Sequence, residues 1–341
     1  MIITRAPFRI SLGGGGTDLP SFYEKHEGFV FNIAIDKYIY IHLKPSILEP
    51  EIKIKYSKNE CVNNISELSH TRAKEALKIY NINKAIEITS IADLPSSSGL
   101  GSSSSYLTAL LTALAVYTRK PCYPHRIAEQ ACQIEIERLK EPIGKQDQYI
   151  AAYGGLTTLD IKKDGEVKVN KVKLSVNSLH TFLGNAHVYY TGLQRSASDI
   201  LEEQDRKTRE SDGSEVENSL LKIKELGLEI YEEIIKENFD NFGLLLDKHW
   251  QFKKNLSDKV AVPEIEKLYE ETKRSYGVLG GKLIGAGGGG FLMLYCNEKH
   301  RLLEKFMKFH GMPRLDYFID FQGTKVVADL RASHELNINH L

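Results

Sequence analysis

Serine and glycine dominate one short segment of the chain. Residues 95–105 read Pro-Ser-Ser-Ser-Gly-Leu-Gly-Ser-Ser-Ser-Ser, and residues 106–116 have the apolar pattern of a buried helix. The N–H groups at such a helix start are unpaired, and the helix dipole adds to their attraction for an anion. Serine hydroxyls there can donate to phosphate oxygens or bind a hard cation such as Mg²⁺. The segment therefore predicts a phosphate-binding loop; a flexible serine linker is the alternative, against which the adjoining apolar helix argues.

A second glycine-rich segment lies near the N-terminus, where Gly13–Gly16 separates Arg9 from Asp18. Arg9 belongs to a predicted strand and Asp18 follows the glycines, so both side chains are expected near the end of one strand. A polar pair in this place is suited to bind hydroxyl groups or to stabilise charge. The alternatives are a surface ion pair for Arg9 and a helix N-cap for Asp18.

Acidic residues in the middle of the chain form a third group. Asp147 lies in Gly-Lys-Gln-Asp-Gln-Tyr at a predicted junction between a loop and a helix, where an aspartate either caps the helix or faces a pocket as a general base. Glu135 and Glu137 lie shortly before it and could supply a carboxylate to Mg²⁺. A charged helix surface is the alternative for these two glutamates.

Two further segments contain residues suited to a binding site. Thr191, Gly192 and Arg195 follow a predicted strand and could contact an anion or a hydroxyl; a strand-to-helix turn with a surface arginine is the alternative. Gly285-Ala-Gly-Gly-Gly-Gly290 formally contains Gly-x-Gly-x-x-Gly, but a strand follows it instead of a helix, which argues against a dinucleotide-binding fold. A close approach of this backbone to a ligand or another segment, or a tight turn, would explain the glycines.

Other common enzyme patterns are absent from the sequence. Gly280-Gly-Lys282 is followed by Leu283, so it does not form the Gly-x-x-x-x-Gly-Lys-Ser/Thr loop, and the protein-kinase and Gly-x-Ser-x-Gly patterns do not occur. Lysine plus arginine and aspartate plus glutamate both total 45, which gives no general attraction for nucleic acid or an anionic membrane. Scattered cysteines and an N-terminus unlike a signal peptide favour a reduced, cytoplasmic protein.

The elements that must position these residues alternate irregularly between strand and helix. The predicted strands are Met1–Leu12, Phe29–Leu43 with a bend near Asp36, Ile52–Tyr56, Ala85–Ala92, Gly155–Ile161, Val167–Leu174, Ala186–Tyr190, Phe291–Tyr295, Tyr317–Phe321 and Val326–Ala328. The predicted helices, besides residues 106–116, are Glu67–Tyr80, Arg126–Leu139, Lys145–Ala152, Leu220–Lys236, Asn241–Lys254, Pro263–Tyr276 and His300–His310. The intensely charged segment Leu201–Asn218 predicts a solvated helix end and a surface loop. This order is typical of the α+β class, with a boundary near residues 175–185.

Three ordered segments resemble the GHMP family of small-molecule kinases, which includes galactokinase, homoserine kinase, mevalonate kinase and phosphomevalonate kinase. The segments are Ala6–Asp18, Pro95–Ser104 and Lys282–Phe291, and they span most of the chain. The resemblance implies an N-terminal α+β domain over residues 1–180 and a ferredoxin-like α+β domain over residues 181–341. It also implies an active site in the cleft between them, with ATP and Mg²⁺ as cofactors.

The resemblance implies roles for individual residues as well. Asp147 matches the catalytic aspartate and Arg9 the basic residue beside it, while Ser103 and Glu137 match the Mg²⁺ ligands, with Glu135 as the second choice. The nucleotide phosphates are expected at Pro95, Ser96, Ser97, Ser98, Gly99, Leu100, Gly101, Ser102 and Ser103. The sugar is expected at Gly15, Thr17, Asp18, Thr191, Gly192, Arg195 and Gly288.

Within the family, Gly-Gly-Gly-Thr-Asp, Gly-Lys-Gln-Asp-Gln-Tyr and Tyr-Thr-Gly-x-x-Arg-x-Ala are similar to the branch that phosphorylates the anomeric hydroxyl of D-glycero-D-manno-heptose 7-phosphate. Galactokinases have Gly-Glu-His-Thr-Asp where this chain has Gly14-Gly-Gly-Thr-Asp18, which argues against galactose. A kinase of an unphosphorylated sugar such as fucose and a non-catalytic nucleotide or sugar sensor are the alternatives.

A phosphorylated acceptor would need a second anion site, for which Arg195, Lys145 and Lys253 are candidates. The expected partner is a small-molecule sugar or sugar phosphate, with no nucleic acid and no membrane. The chain is expected to act as a monomer or homodimer.

Overall fold

The computed structural model describes residues 1–96, 98–193, 197–210 and 213–331. The strands are β1 (Ile2–Gly13), β2 (Gly28–Pro45), β3 (Ile52–Lys55), β4 (Asn59–Val62), β5 (Ile86–Ala92), β6 (Leu156–Ile161), β7 (Val167–Val172), β8 (Ala186–Tyr190), β9 (Val278–Leu283), β10 (Phe291–Cys296) and β11 (Lys325–Asp329). The α-helices are α1 (Pro20–His26), α2 (Thr71–Ile79), α3 (Ser102–Tyr117), α4 (Pro124–Cys132), α5 (Gln146–Tyr153), α6 (Val176–Asn185), α7 (Ala197–Glu210), α8 (Glu215–Ile235), α9 (Phe239–Lys254), α10 (Pro263–Ser275) and α11 (His300–Phe309). A π-helix, Gln133–Arg138, continues α4. The irregular alternation of helices with strands that pair almost entirely antiparallel confirms the α+β class.

The larger sheet has eight strands and is built around β2. Its main path runs β11-β1-β2-β5-β3-β4, and β6 and β7 join through the first half of β2. Residues 28–33 of β2 pair with β6, whereas residues 39–45 pair with β5. The change of partner falls at the bend that the sequence predicts near Asp36. The long strand β2 therefore pairs with β1 on one side and with both β5 and β6 on the other.

Helix α3 is the central helix of the N-terminal half and packs against β1, β2 and α5. Small and branched apolar residues make it buried on nearly every side, as its sequence predicts. Its two buried threonines are satisfied within the helix, because Thr108 Oγ1 donates to Ser104 O (2.6 Å) and Thr112 Oγ1 to Thr108 O (2.9 Å). The serine-rich start of α3 is thereby held rigidly at the end of a core element.

The smaller sheet has three antiparallel strands in the order β8-β10-β9. Helix α9 packs on β9, and α10 contacts the same strand. A ferredoxin-like sheet would carry a fourth strand. Among the described residues that strand is reduced to an isolated bridge between Tyr189 and Arg314 at the outer edge of β8.

Residues of both halves belong to one hydrophobic cluster, and the C-terminal half has a second cluster of its own. Phe182, Val188, Phe242 and Tyr295 belong to the same buried cluster as the residues of the larger sheet. The last strand, β11, pairs antiparallel with β1 and so returns the chain to the N-terminal sheet. The division into two domains at residue 180 therefore stays a prediction. Strand β11 does not fit it, because this strand comes late in the chain but belongs to the N-terminal sheet.

Two sequence predictions differ from the structure. In the segment Leu201–Asn218 the predicted helix end is present as the last part of α7, which runs to Glu210, but the predicted loop is shorter than expected because α8 begins at Glu215. The predicted strand Tyr317–Phe321 contributes only a bridge between Ile35 and Ile319. Among the described residues, none of the helices combines the length and the apolarity that a bilayer crossing requires.

Candidate active site

The serine-rich loop reaches α3 through two glycines in the left-handed region. Gly99 has φ +78° and Gly101, the N-cap of α3, has φ +80°. A residue with a Cβ is strained in this conformation, which explains why the loop needs glycine at these positions. No side chain caps the helix. The first N–H groups of α3 are therefore directed to the open end of the helix, as an anion site requires.

A cavity of about 390 Å³ opens in front of this helix end. The predicted loop residues that line it are Ser96, Gly99, Gly101, Ser102 and Ser103. Pro95 is exposed outside its wall, whereas Ser98 and Leu100 are buried beneath the loop. Ser97 lies outside the described residues. The alternation of lining and buried residues indicates a fixed loop and argues against a linker.

The second glycine run packs directly against the loop. A Cβ at Gly285 would overlap the backbone of Gly99, and one at Gly290 would overlap the carbonyl of Ser98. The glycines thus permit close contact between two backbone segments, one of the explanations that the sequence left open. Gly288 does not line the cavity, because it is buried and its N–H donates to Val260 O (2.8 Å). Its predicted contact with the sugar is therefore not supported.

Arg9 and Asp147 meet at the floor of the cavity. Arg9 Nε lies 2.7 Å from Asp147 Oδ1 and Nη2 lies 2.9 Å from Oδ2, a bidentate pair. Arg9 Nη1 also donates to Gly99 O (2.5 Å). Asp147 does not cap α5, whose N-cap is Lys145. The arginine therefore fixes the carboxylate beside the loop, with 23% of the Asp147 side chain accessible from the cavity.

Asp18 supplies a second carboxylate to the cavity, on the side that is called the Asp18 wall below. Its Oδ1 accepts from the N–H of Gly16 (3.0 Å) and Nε2 of Gln146 (3.2 Å), and its Oδ2 accepts from the N–H of Gln146 (3.0 Å). Burial raises the pKa of Asp18 above its usual value, an effect that these backbone hydrogen bonds oppose. Gly15 lines the same wall. Asp18 is not a helix N-cap, because Leu19 holds that position in α1.

Thr17 does not reach the cavity. Its hydroxyl donates to Gly14 O and Phe29 O, both at 2.8 Å, and its side chain is fully buried. These hydrogen bonds stabilise the turn that presents Asp18. Thr17 is therefore a structural residue of the turn, and its predicted contact with the sugar is not supported.

The π-helix decides which glutamate faces the cavity. Glu135 is fully buried and accepts from Arg72 Nε (2.7 Å), Ser104 Oγ (2.8 Å) and Gln148 Nε2 (2.7 Å). It lines the same cavity as Ser103, whereas Glu137 is exposed and does not line the cavity. A π-helix holds more residues per turn than an α-helix and so changes the direction of each side chain. The placement of Glu137 does not support its predicted role, whereas Glu135, the second choice, lines the cavity.

The described residues that follow β8 contribute less to the cavity than the sequence predicted. Thr191 Oγ1 donates to Gly290 O (2.9 Å) and so ties β8 to the second glycine run. Gly192 is exposed, and no atom lies within 4 Å of the position of its missing Cβ. Neither residue lines the cavity, so their predicted contacts with the sugar are not supported. Arg195 lies outside the described residues.

Several cavity residues escaped the sequence analysis. They include Ser11, Arg72, Glu141, Gln146, Leu201, Gln204, His249 and Lys282. The side chains of Ser11, Gln146, Gln204 and His249 each carry a buried polar atom without a partner among the described residues. Such atoms mark places where a polar ligand would complete the hydrogen bonding. For these residues the sequence carried one signal. His249 lies four positions before the candidate Lys253, which places both on one face of a predicted helix.

The arrangement combines three chemical functions in one cavity. The start of α3 offers N–H groups to an anion, Ser103 and Glu135 offer oxygen ligands, and Asp147 offers a carboxylate oriented by Arg9. Asp18 and the unpartnered polar atoms surround the remaining space. This set suits the transfer of a phosphoryl group to a hydroxyl, because positioning and electrostatic stabilisation dominate such reactions.

Comparisons with known proteins agree with this chemistry. The family description "GHMP kinases N terminal domain" matches residues 65–155, and "GHMP kinases C terminal" matches residues 230–308. The D-glycero-alpha-D-manno-heptose 7-phosphate kinase of Campylobacter jejuni is 29% identical over 95% of this chain and 97% of its own length. The L-fucokinase/L-fucose-1-P guanylyltransferase of Bacteroides fragilis is 28% identical over 86% of this chain but 34% of its own length.

The fold is also found in solved structures. The crystal structure of a D-glycero-D-manno-heptose 1-phosphate kinase from Bacteroides thetaiotaomicron has a TM-score of 0.79 and 21% identity, covering 97% of this chain and all of that one. Both halves of the chain therefore match the same family, in sequence and in fold. The chain belongs to the GHMP kinase family and is a phosphotransferase that acts on an alcohol group.

Proposed function

We propose that the protein transfers a phosphoryl group from ATP to the anomeric hydroxyl of D-glycero-D-manno-heptose 7-phosphate and so forms the 1,7-bisphosphate. The observation that carries the proposal is the Arg9–Asp147 pair, which lies between the anion-binding loop and the Asp18 wall of one cavity. The heptose 7-phosphate kinase named among the relatives, which aligns over nearly the full length, supports the choice of acceptor.

The nucleotide fits the loop through its phosphates. The N–H groups of residues 98–103 would hold the α- and β-phosphates at the positive end of α3. Mg²⁺ fits this site because Ser103 and Glu135 supply a hydroxyl and a carboxylate. Among the described residues no cluster of three acidic, histidine or cysteine side chains could hold a metal alone. This agrees with a Mg²⁺ ion that shares its ligands between protein and phosphates, where it would neutralise charge on the leaving oxygen.

Asp147 is the residue that handles the acceptor proton. Its two oxygens are held by Arg9, which prevents rotation of the carboxylate and leaves its exposed edge directed into the cavity. A hydroxyl placed there is oriented for attack, and its proton passes to Asp147. The Gly99 contact of Arg9 holds the phosphate loop and the base in a fixed relation.

The Asp18 wall suits the hydroxyl groups of a sugar. The unpartnered Gln146 Oε1 and Ser11 Oγ lie in the same wall and can accept hydrogen bonds from hydroxyls. Gly15 and Gly16, which line the cavity, stand where galactokinases carry glutamate and histidine, so no side chain of that size fills this end of the cavity. The extra space favours an acceptor longer than galactose.

A second candidate is the phosphorylation of an unphosphorylated sugar such as fucose. The match of 86% of this chain to 34% of the Bacteroides fragilis L-fucokinase/L-fucose-1-P guanylyltransferase favours it. The two functions differ in whether the acceptor already carries a phosphate.

A panel of acceptors tests the proposal. ADP release is measured with the heptose 7-phosphate, the same heptose without phosphate, fucose and galactose. We expect kcat/KM for the heptose 7-phosphate to exceed the others by about a hundredfold or more, with a new anomeric signal by phosphorus NMR. The Asp147→Asn protein serves as the control for contaminating kinases. Activity confined to unphosphorylated sugars would eliminate the heptose 7-phosphate.

A further inference from the structure

Three basic side chains of the C-terminal half meet in one wall of the cavity. His249 and Lys253 lie one turn apart on α9, and Lys282 lies on the neighbouring strand β9. All three line the cavity although they are almost completely buried, with exposures of 1%, 7% and 2%. Lysine is rarely buried to this extent without a partner of opposite charge. This group is called the basic wall below.

The basic wall has hydrogen-bond donors to spare. Lys253 Nζ donates to Leu283 O (2.8 Å) and Gly285 O (2.5 Å), and Lys282 Nζ donates to Leu12 O (2.9 Å). Because an ammonium group has three N–H donors, each lysine keeps at least one without an acceptor in the described part of the chain. Neither ring nitrogen of His249 has a partner there. These groups are available to a ligand in the cavity that the three side chains line.

The nearby carboxylates do not neutralise the basic wall. Both oxygens of Asp147 bind Arg9, and both oxygens of Asp18 bind Gly16 and Gln146. Neither Lys253 nor Lys282 forms an ion pair within the described ranges. Burial, and then the charge of Arg9, lowers the pKa of Lys253 to about 7. Two neighbouring buried lysines that bind only carbonyl oxygens in this setting call for an anionic ligand.

The other cations that the sequence offered for an anion site are less suited. Lys145 Nζ donates to Gly165 O (2.6 Å), lies 3.7 Å from a Glu129 oxygen and does not line the cavity. Its charge is already partnered. Arg195 lies outside the described residues. Of the three candidates, Lys253 alone is both described and in contact with the cavity.

We propose that Lys253, Lys282 and His249 form a subsite for a phosphate group of a bound ligand. The inference rests on the proposed function, since it assumes that phosphorylated ligands enter this cavity. The phosphate has two possible sources: the phosphate that a sugar acceptor already carries, or the terminal phosphate of the nucleotide. Both are compact anions that match several N–H donors in a water-poor pocket.

The test asks how much more tightly a phosphorylated ligand binds than its counterpart with one phosphate fewer. This ratio is compared between the wild type and the Lys253→Met and Lys282→Met variants. One arm measures, by calorimetry without nucleotide, the ratio of Kd for heptose and heptose 7-phosphate. The other arm measures the ratio of Kd for ADP and a non-hydrolysable ATP analogue. We expect either variant to reduce one of these ratios by about tenfold or more. The affected arm identifies the source of the phosphate.

Lys145→Met is the matched control, because it also removes a buried lysine that donates to a backbone carbonyl, but outside the cavity. It should leave both ratios within about twofold of the wild type. Unchanged ratios in both lysine variants, or an equal loss in the control, would overturn the proposal. Melting temperatures separate a loss of folding from a loss of binding, because misfolding lowers the affinity for both members of a pair.

A measurement on the wild-type protein covers the case in which the variants do not fold. Crystals grown with heptose 7-phosphate and the ATP analogue should show phosphate oxygens about 2.7–3.1 Å from Lys253 Nζ. Phosphates that all bind elsewhere would overturn the subsite. Failure of the proposed function is a separate result, since the acceptor panel could be inactive while the nucleotide arm still shows a phosphate-selective loss.

Discussion

Arg9 holds both carboxylate oxygens of Asp147, at 2.7 and 2.9 Å, and the carbonyl of Gly99 at 2.5 Å. One guanidinium thus connects the residue proposed to receive the proton with the loop proposed to bind the nucleotide. Its side chain is 6% exposed, so water competes little for these contacts. The three hydrogen bonds use the planar fork of arginine, which a lysine cannot reproduce.

Arg9→Lys should keep the charge but lose this geometry. We expect kcat to fall by about tenfold to a hundredfold, because the carboxylate is no longer held in one orientation. Steady-state ADP release provides the measurement. Arg5→Lys, which alters a longer contact of 3.4 Å with Asp320 away from the cavity, is the control. Equal kcat values for wild type and Arg9→Lys would contradict the positioning role.

Asp147→Asn removes the proposed proton acceptor and keeps the shape of the side chain. Turnover should fall by about 10²–10⁴-fold, the usual contribution of a positioned base. Nucleotide affinity, measured by calorimetry, should change little because the loop is untouched. Asp164→Asn at an exposed turn is the control. Near-wild-type turnover would show that another group receives the proton.

Glu135→Gln and Glu137→Gln form a matched pair on one short helix. The buried glutamate lines the cavity and the exposed one does not. The Mg²⁺ concentration for half-maximal activity should rise by about tenfold or more for Glu135→Gln. It should stay within about twofold for Glu137→Gln. The reverse order would restore Glu137 as the ligand.

Gly101→Ala tests the conformation of the phosphate loop. The added Cβ is strained at φ +80° and would lie 3.1 Å from Asp147 Oδ2. Calorimetry should show a loss of about 1–2 kcal/mol in the free energy of unfolding, together with lower turnover. Gly184→Ala in α6 meets no neighbouring atom within 4 Å. That control should gain roughly 0.5–1 kcal/mol, since alanine favours helix.

The basic wall should make stability depend on pH. Lys253 has a pKa of about 7 in the folded protein against 10.5 when unperturbed, so between these values the unfolded chain binds the extra proton. The cost of its buried charge is therefore complete below pH 7 and is relieved as the pH rises towards 10.5. Lys282 has a pKa lowered by burial and then by the charge of Lys253, and it acts with the same sign.

Urea unfolding of the wild type and Lys253→Met from pH 6 to pH 10 measures this effect. The difference in unfolding free energy should shift in favour of the wild type above pH 7, by up to about 1.4 kcal/mol per pH unit. Taking the difference cancels groups that titrate equally in both proteins. A difference that is flat with pH would mean that Lys253 is charged throughout.

Local features of the site were predictable from the sequence, because they depend on neighbouring residues. The apolar run after Ser105 predicts the buried helix α3, and the glycines predict the turn before it. The approach of Arg9 to Asp147 is different, since it joins residues far apart in the chain. Only the resemblance to a family brought those two together.

Other parts of the site depend on structural details that a pattern of residue types does not encode. The choice between Glu135 and Glu137 follows from a π-helix, which shifts the side chains around the helix axis. The burial of one face of α7 was not predicted, because Gln204 and Thr208 on that face are polar, yet are 3% and 0% exposed among charged neighbours. A rule that equates charge with the surface overlooks such a helix.

The pairing of β11 with β1 covers the edge of a twelve-residue strand with a strand of only five residues, which has Lys325 and Asp329 at its ends. Ile2–Arg5 would otherwise present an unpaired row of backbone N–H and C=O groups at the rim of the larger sheet. An exposed strand of this kind is a template for strands of other molecules. A shortened protein that ends before Lys325 should therefore precipitate more readily than the full-length chain, even though its cavity is complete.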